Sequence, residues 1–204
     1  MDPEKEKIIK HSQQKFFIEG FHKTTMDELS RELQVSKKTI YKYFPSKEKL
    51  IEEITDDIIC SSDEDIKKII EADENVVWKF VKVLKMYNNR TMQFSNKWQH
   101  DIQVHTPHIW KKIDNFRTEK IFSGLHRLLE QGKKEKLVLD FPNEIIVASF
   151  INTIRTVMNQ DFIFRNNFSI QQAFYYTFEM LLRGILTKAG LEKYHKMKEE
   201  FEIL

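Results

Sequence analysis

Cysteine, glycine and proline are all scarce in this 204-residue chain, and each scarcity narrows what the protein can be. Cys60 is the single cysteine, so no internal disulfide can form and nothing implies an oxidising compartment. The opening residues MDPEKEKIIK lack the apolar core of a signal peptide, and apolar stretches such as Ile145–Ala148 are far too short to span a bilayer. A soluble, cytoplasmic protein without a membrane partner is expected. There is no glycine-rich phosphate loop, and Cys60 sits in an acidic segment, poor surroundings for a thiolate nucleophile. The chain therefore reads as a non-enzyme, with no catalytic residues and no cofactor.

What is present is globular: 41% hydrophobic and 31% charged residues, enough for one good core or for a small domain fused to a larger one. The net charge of +2 hides an uneven distribution. Residues 1–50 hold eleven Lys/Arg against eight Asp/Glu, residues 51–75 hold two against ten, and the remainder holds twenty against thirteen. Ser36–Lys49 alone carries five lysines and one acid. A local basic footprint of this kind suits a surface that meets phosphates.

With only five glycines and four prolines, and apolar residues recurring every three or four positions, the chain is expected to be all α-helical. A first helix should begin near Pro3, bury Ile8, Ile9, Phe16 and Phe17, and stop at Gly20. Thr25 with Glu28 forms a capping box for a second helix. Ser36 caps a third helix that Pro45 ends, and Ser46 caps a fourth that runs toward Ala72. From Asn75, Val77, Phe80, Leu84, Tyr87, Phe94 and Trp98 form one long apolar stripe, interrupted at Thr106-Pro107. A short helix with Trp110 and Ile113, a helix over 116–131 ending at Gly132, and a strongly apolar helix over 142–159 should follow. Ser169 and Gln172 box the start of the last long helix, to about 188. A short amphipathic tail with Leu191, Tyr194 and Phe201 closes the chain. The last two long helices are more apolar than one core-facing stripe requires, which points to a dimer interface containing positions such as Phe178.

Residues Gly20–Leu50, GFHKTTMDELSRELQVSKKTIYKYFPSKEKL, combine two short helices and a tight turn with a lysine-studded second helix. A helix can probe the major groove only when a partner helix braces it and its exposed face is basic. The segment resembles the DNA-binding region of the tetracycline-repressor (TetR) family, through Ile8-Ile9, Phe16, Gly20-Phe21, Thr24-Thr25, Leu29, Val35-Ser36, Thr39-Ile40-Tyr41, Tyr43-Phe44 and Ser46-Lys47-Glu48 to Leu50. The resemblance implies an all-helical homodimer: an N-terminal helix-turn-helix domain (1–50) bound to a palindromic operator, and a C-terminal domain (51–204) for dimerisation and a small effector. A repressor released by that effector is the expected function, and a DNA-bound adaptor governed by a protein partner is the alternative. Three positions depart from the usual pattern: His11-Ser12 replace two small residues, Gln34 replaces a frequent turn glycine, and Lys38 replaces a small residue.

The DNA face is expected to comprise Thr24, Thr25, Lys37, Lys38, Thr39, Tyr41, Lys42, Tyr43 and Lys47. Thr24 or Thr25 would meet a phosphate at a helix N-terminus, while Tyr43 and Lys47 resemble the family's phosphate contacts. Without an arginine between Ser36 and Leu50, affinity should be largely electrostatic and salt-sensitive. Met86, Tyr87, Phe94, Trp98, Trp110, Phe122 and Phe150 are candidates for lining an effector pocket, with an apolar or aromatic ligand implied. The histidine-rich run WQHDIQVHTPHIW, residues 98–110, matches no standard zinc spacing, and Pro107 is expected to break its helix. Solvated or capping histidines, and no metal, are the expectation there.

Overall fold

The computed structural model describes residues 2–91 and 93–200, the side chains of 91, 121, 160 and 200 excepted. The described residues form helices, with one isolated antiparallel bridge between Val138 and Leu186. In chain order these are α1 (Pro3–Glu19), α2 (Met26–Leu33), α3 (Lys37–Tyr43), α4 (Lys47–Glu71), α5 (Val76–Thr91) and α6 (Asn96–His105). They are followed by α7 (Pro107–Lys134), α8 (Asn143–Val157), α9 (Gln160–Arg165), α10 (Ile170–Ile185) and α11 (Lys188–Glu200). No helix among the described residues is long and apolar enough to cross a membrane.

The helix ends follow the local chemistry. Pro3 opens α1, and the Asp2 carboxylate caps it by accepting from the Glu4 N–H at 2.9 Å. Thr25 and Glu28 form the expected capping box, as do Ser169 and Gln172 ahead of α10. Ser36 caps α3 by accepting from the Thr39 N–H at 3.0 Å, and the Ser46 hydroxyl accepts from the Lys49 N–H at the start of α4. Gln34 takes the left-handed conformation (φ 56°, ψ 38°), the geometry that a turn glycine supplies freely. The missing glycine therefore leaves the turn intact, with its backbone strain carried by Gln34.

The chain divides into two compact units, and they do not follow a single cut at residue 50. The first comprises the chain up to Ser61 together with Gln93–Asn115. Its core joins Ile8, Phe16 and Phe17 of α1, Leu29 of α2, Ile40 of α3 and Leu50 of α4 to Trp98, Ile102 and Ile109. Trp98 is the hub, with ring centroids 5.0 Å from Phe17 and 5.5 Å from Phe21, both edge-on. The second unit holds Ser62–91 and the chain from Phe116 onward. In its core Val77, Phe80, Val81 and Leu84 of α5 meet Leu129, Phe150, Ile154, Phe174, Phe178, Leu182 and Tyr194.

Four expectations change here. The apolar stripe through Trp98 is not one helix: it breaks at 93–95, where Ser95 caps α6 by accepting from the Trp98 N–H at 3.1 Å. Pro107 opens a continuous α7 through Lys134 instead of a short helix and a separate second one. Proline is tolerated in a first turn because its missing N–H would have had no helical partner. A short α9, which was not expected, precedes α10, and α10 ends at Ile185 with Gly190 inside α11. Phe201 lies outside the described residues.

Candidate nucleic-acid interface

Helix α3 is braced by α2 through Ile40, which is fully buried, while its opposite face is open. Lys37, Lys38, Tyr41 and Lys42 are exposed, and at 100° per residue they occupy one arc of about 140° opposite Ile40. Tyr41 keeps 47% of its surface exposed despite its aromatic ring. Lys37 is paired with Asp27 of α2. Lys38 has no ion pair among the described residues. The Lys42 ammonium lies 4.7 Å over the Tyr43 ring, which orients the cation without burying it. Thr39 shares a 2.8 Å hydrogen bond with Ser36, so its hydroxyl serves the cap.

Other expected DNA contacts take different positions. Thr24 is buried and its hydroxyl donates to the Gly20 carbonyl at 3.4 Å, whereas Thr25 stays exposed and caps α2. Tyr43 donates its hydroxyl to Asp2 at 2.5 Å and also lies 3.2 Å from Glu4. Hydrogen bonding to Asp2, the largest cause, together with burial, raises the Tyr43 phenol well above its ordinary pKa. Lys47, expected to meet a phosphate, is engaged within the chain. Its ammonium donates to three backbone carbonyls, of Phe21 (2.8 Å), His22 (3.0 Å) and Thr24 (2.9 Å). Burial lowers its pKa, and the nearby Asp101 carboxylate partly offsets that. A cation with its three donors committed to the chain is a fastener of the turn ahead of α2, with none left for a phosphate.

Asp101 fastens the same turn from the other side. Its Oδ2 accepts the N–H groups of Phe21 and His22, both at 2.7 Å. Gly20 has φ +79°, and a Cβ there would stand 2.6 Å from Asp101 Oδ2, so conformation and close approach both require glycine. Asp101 was not among the candidate site residues. The signal was available: it falls three residues after Trp98 and one before Ile102, an acid in the buried register of an apolar stripe. Further support comes from Lys15, whose ammonium meets Glu28 (2.9 Å) and Glu32 (2.8 Å) and ties α1 to α2. These bonds, Glu32 first, raise the Lys15 pKa.

The seven candidate pocket residues are split between the two units. Phe94, Trp98 and Trp110 pack in or against the core of the first, where Phe94 meets Phe17 edge-on at 4.7 Å. In the second, Phe150 is buried, Tyr87 stacks on Phe174 with centroids 3.5 Å apart, and Met86 is half-buried. Burial raises the Tyr87 phenol pKa. Phe122 is 57% exposed, lying against His126.

A second exposed face runs along α8 and α10, which pack on each other. It presents Ile145 (62% exposed), Tyr176 (61%) and Met180 (60%), with Ala148 and Gly184 between them. Ser149 and Asn152 donate back to the carbonyls of Ile145 and Ala148, both at 2.8 Å, which blunts the polarity of that face. Phe178, expected at the interface, is instead core, 6.3 Å from Phe150.

A braced, basic, outward-facing second helix after a tight turn defines a helix-turn-helix DNA-binding protein. Residues 8–54 match the family described as "Bacterial regulatory proteins, tetR family". The chain is 23% identical over 162 residues to an uncharacterized HTH-type transcriptional regulator, YvaF, of Bacillus subtilis (strain 168), covering 79% of this chain and 85% of that relative. Its fold is similar to a TetR-family transcriptional regulator from Marinobacter aquaeolei VT8, with a TM-score of 0.74 at 15% identity over 98% of this chain and 99% of that one. It is also similar to SmeT in complex with triclosan, with a TM-score of 0.65 at 10% identity over 91% and 92% of the two chains. SmeT is the repressor of the Stenotrophomonas maltophilia multidrug efflux pump SmeDEF. Residues 8–54 thus carry the helix-turn-helix region of the tetR family, and the chain as a whole shares the fold of TetR-family regulators.

Proposed function

We propose that the protein is a cytoplasmic, ligand-responsive repressor that binds a palindromic operator as a homodimer and leaves it when a small apolar or aromatic molecule binds. In this reading the first fifty residues meet DNA, and residues 51–204 dimerise and sense the effector. The observation that carries the DNA half is the open arc of Lys38, Tyr41 and Lys42 opposite the buried Ile40. Homodimerisation is supported by the exposed apolar face of α8 and α10. The effector reading rests on the aromatic cluster of Tyr87, Phe150, Phe174 and Phe178, and on the likeness to SmeT, a repressor solved with triclosan.

Operator titrations across salt concentration test the DNA half. Lys42→Ala should weaken binding to all sequences and reduce the log–log salt slope by about one, the signature of one lost phosphate contact. Lys38→Ala should change which operator is preferred, because a lysine at the groove can reach a guanine edge. Two variants with native slope and native preference would remove α3 from the interface.

The effector half predicts that an apolar aromatic compound which binds the second unit lowers operator affinity through a coupling of about 1–3 kcal/mol. Tyr87→Ala should change that coupling and leave operator affinity without the compound as it was. One specific observation favours the adaptor alternative: Phe164 is 85% and Phe168 40% exposed around the end of α9. If no such compound shifts operator affinity while Phe164→Asp abolishes regulation in cells, a protein partner takes the effector's place.

A further inference from the structure

The turn ahead of α2 is held by a carboxylate that uses only one of its oxygens for the purpose. Asp101 Oδ2 accepts two backbone N–H groups, while Oδ1 faces His100 Nδ1 at 3.6 Å and His105 Nε2 at 4.0 Å. The three candidate ligand atoms all lie within 4.8 Å of one another. Both imidazoles are exposed, and the carboxylate beneath them is buried. Because α6 runs unbroken to His105 and the helix break falls after it, Pro107 leaves this arrangement whole.

We propose that His100, Asp101 and His105 form a binding site for a divalent transition cation of the zinc class. Two imidazole nitrogens and one carboxylate oxygen are the donor set such a cation selects, and solvent can fill the remaining position on the exposed side. Metal–ligand bonds of about 2.0–2.2 Å place ligand atoms roughly 3.5 Å apart, and the three candidate atoms, within 4.8 Å of one another, need only a modest approach to reach that spacing. The surroundings already orient its parts. The backbone N–H groups of Phe21 and His22 fix the carboxylate, and the His22 ring stacks on His105 with centroids 3.7 Å apart and planes 11° from parallel. An isolated exposed histidine–carboxylate pair contributes little to stability. A second cluster, Glu48, Glu52 and His108, is less suited: Glu52 is already paired with Lys49 at 2.6 Å, and none of its members is buried.

A cation on Oδ1 shares its carboxylate with the turn that leads into the helix-turn-helix. Occupancy therefore stabilises the folded first unit by mass action, whether or not any effector binds elsewhere. The test uses tag-free, chelator-treated full-length protein titrated with Zn²⁺ by calorimetry, with Co²⁺ absorption as the spectroscopic reading. One equivalent should bind per chain, zinc should raise the melting temperature, and cobalt should give the visible bands of a low-coordinate nitrogen–oxygen site. His100→Gln with His105→Gln should weaken binding at least about tenfold and abolish the thermal shift, whereas His108→Gln should leave both unchanged. Circular dichroism of the metal-free double variant separates loss of ligands from loss of fold, and His105→Gln alone, read by the cobalt bands, serves if the double variant unfolds. No binding by the native chain, undiminished binding by the folded double variant, or loss of binding in His108→Gln would each overturn the site.

Discussion

Met180→Asp should turn the protein into folded monomers and lower its affinity for a two-half-site operator by roughly 10²–10⁴-fold, the usual gain from linking two binding modules. Met180 stands 60% exposed on α10, on one face with Tyr176 and Gly184 and beside Ile145 and Ala148 of α8. Water already solvates position 180 in the lone chain, so a carboxylate there costs the monomer almost nothing. Buried in a symmetric interface, it would face its own copy across an apolar contact, with desolvation and like charge both opposed to association. Light scattering reports the mass, and a single half-site separates lost dimerisation from damaged DNA contacts, since half-site affinity should stay native. A dimer that persists in this variant would mean that the α8–α10 face is not the interface. Phe178→Asp is a poor substitute test, because Phe178 is core and its replacement would unfold the unit. Ala148 is exposed on α8, so enlarging it is a second test of association.

The second large effect belongs to Lys47. Lys47→Met should destabilise the first unit by about 2–3 kcal/mol, the scale of losing charge-assisted hydrogen bonds while their carbonyl partners remain. The carbonyls of Phe21, His22 and Thr24 lose their shared donor, and Asp101 loses its neighbouring cation. Chemical denaturation followed by tryptophan emission measures the stability. Operator titrations across salt should retain the native slope, because no phosphate contact has been removed. Native stability together with a slope reduced by one would return Lys47 to the DNA face.

The contrast shows which parts of the molecule were legible in the sequence. Capping boxes at Thr25–Glu28 and Ser169–Gln172, the caps Ser36 and Ser46, and Pro3 at the start of α1 are local chemistry, and the helices begin where they indicate. The basic arc of α3 was also legible, because exposure opposite Ile40 follows from helical periodicity alone. Lys47 was not. Its side chain turns on whether three carbonyls of a loop more than twenty residues earlier are within reach, a relation that no local pattern carries. Ser95 and Pro107 mark the opposite failure. Apolar spacing runs smoothly across 93–95 because both helices use the same period, so the stripe through Trp98 concealed a break. Pro107 resembled a stop but is a start, since the first residue of a helix needs no N–H. The histidine-rich run 98–110 was read on linear spacing alone, although Asp101 and His105, four apart, share one face of α6.

Trp98 carries a further implication, for how such a protein can be recombined. The indole that Phe16, Phe17 and Phe21 pack around, like the carboxylate that ties down Gly20–His22, comes from residues far beyond the helix-turn-helix. A chimaera grafting the first fifty residues onto a foreign sensor would therefore leave three phenylalanines facing a surface that never evolved to receive them. The unit to be moved is discontinuous: it comprises the N-terminal helices and the stretch 93–115, with some thirty residues of the second unit between them.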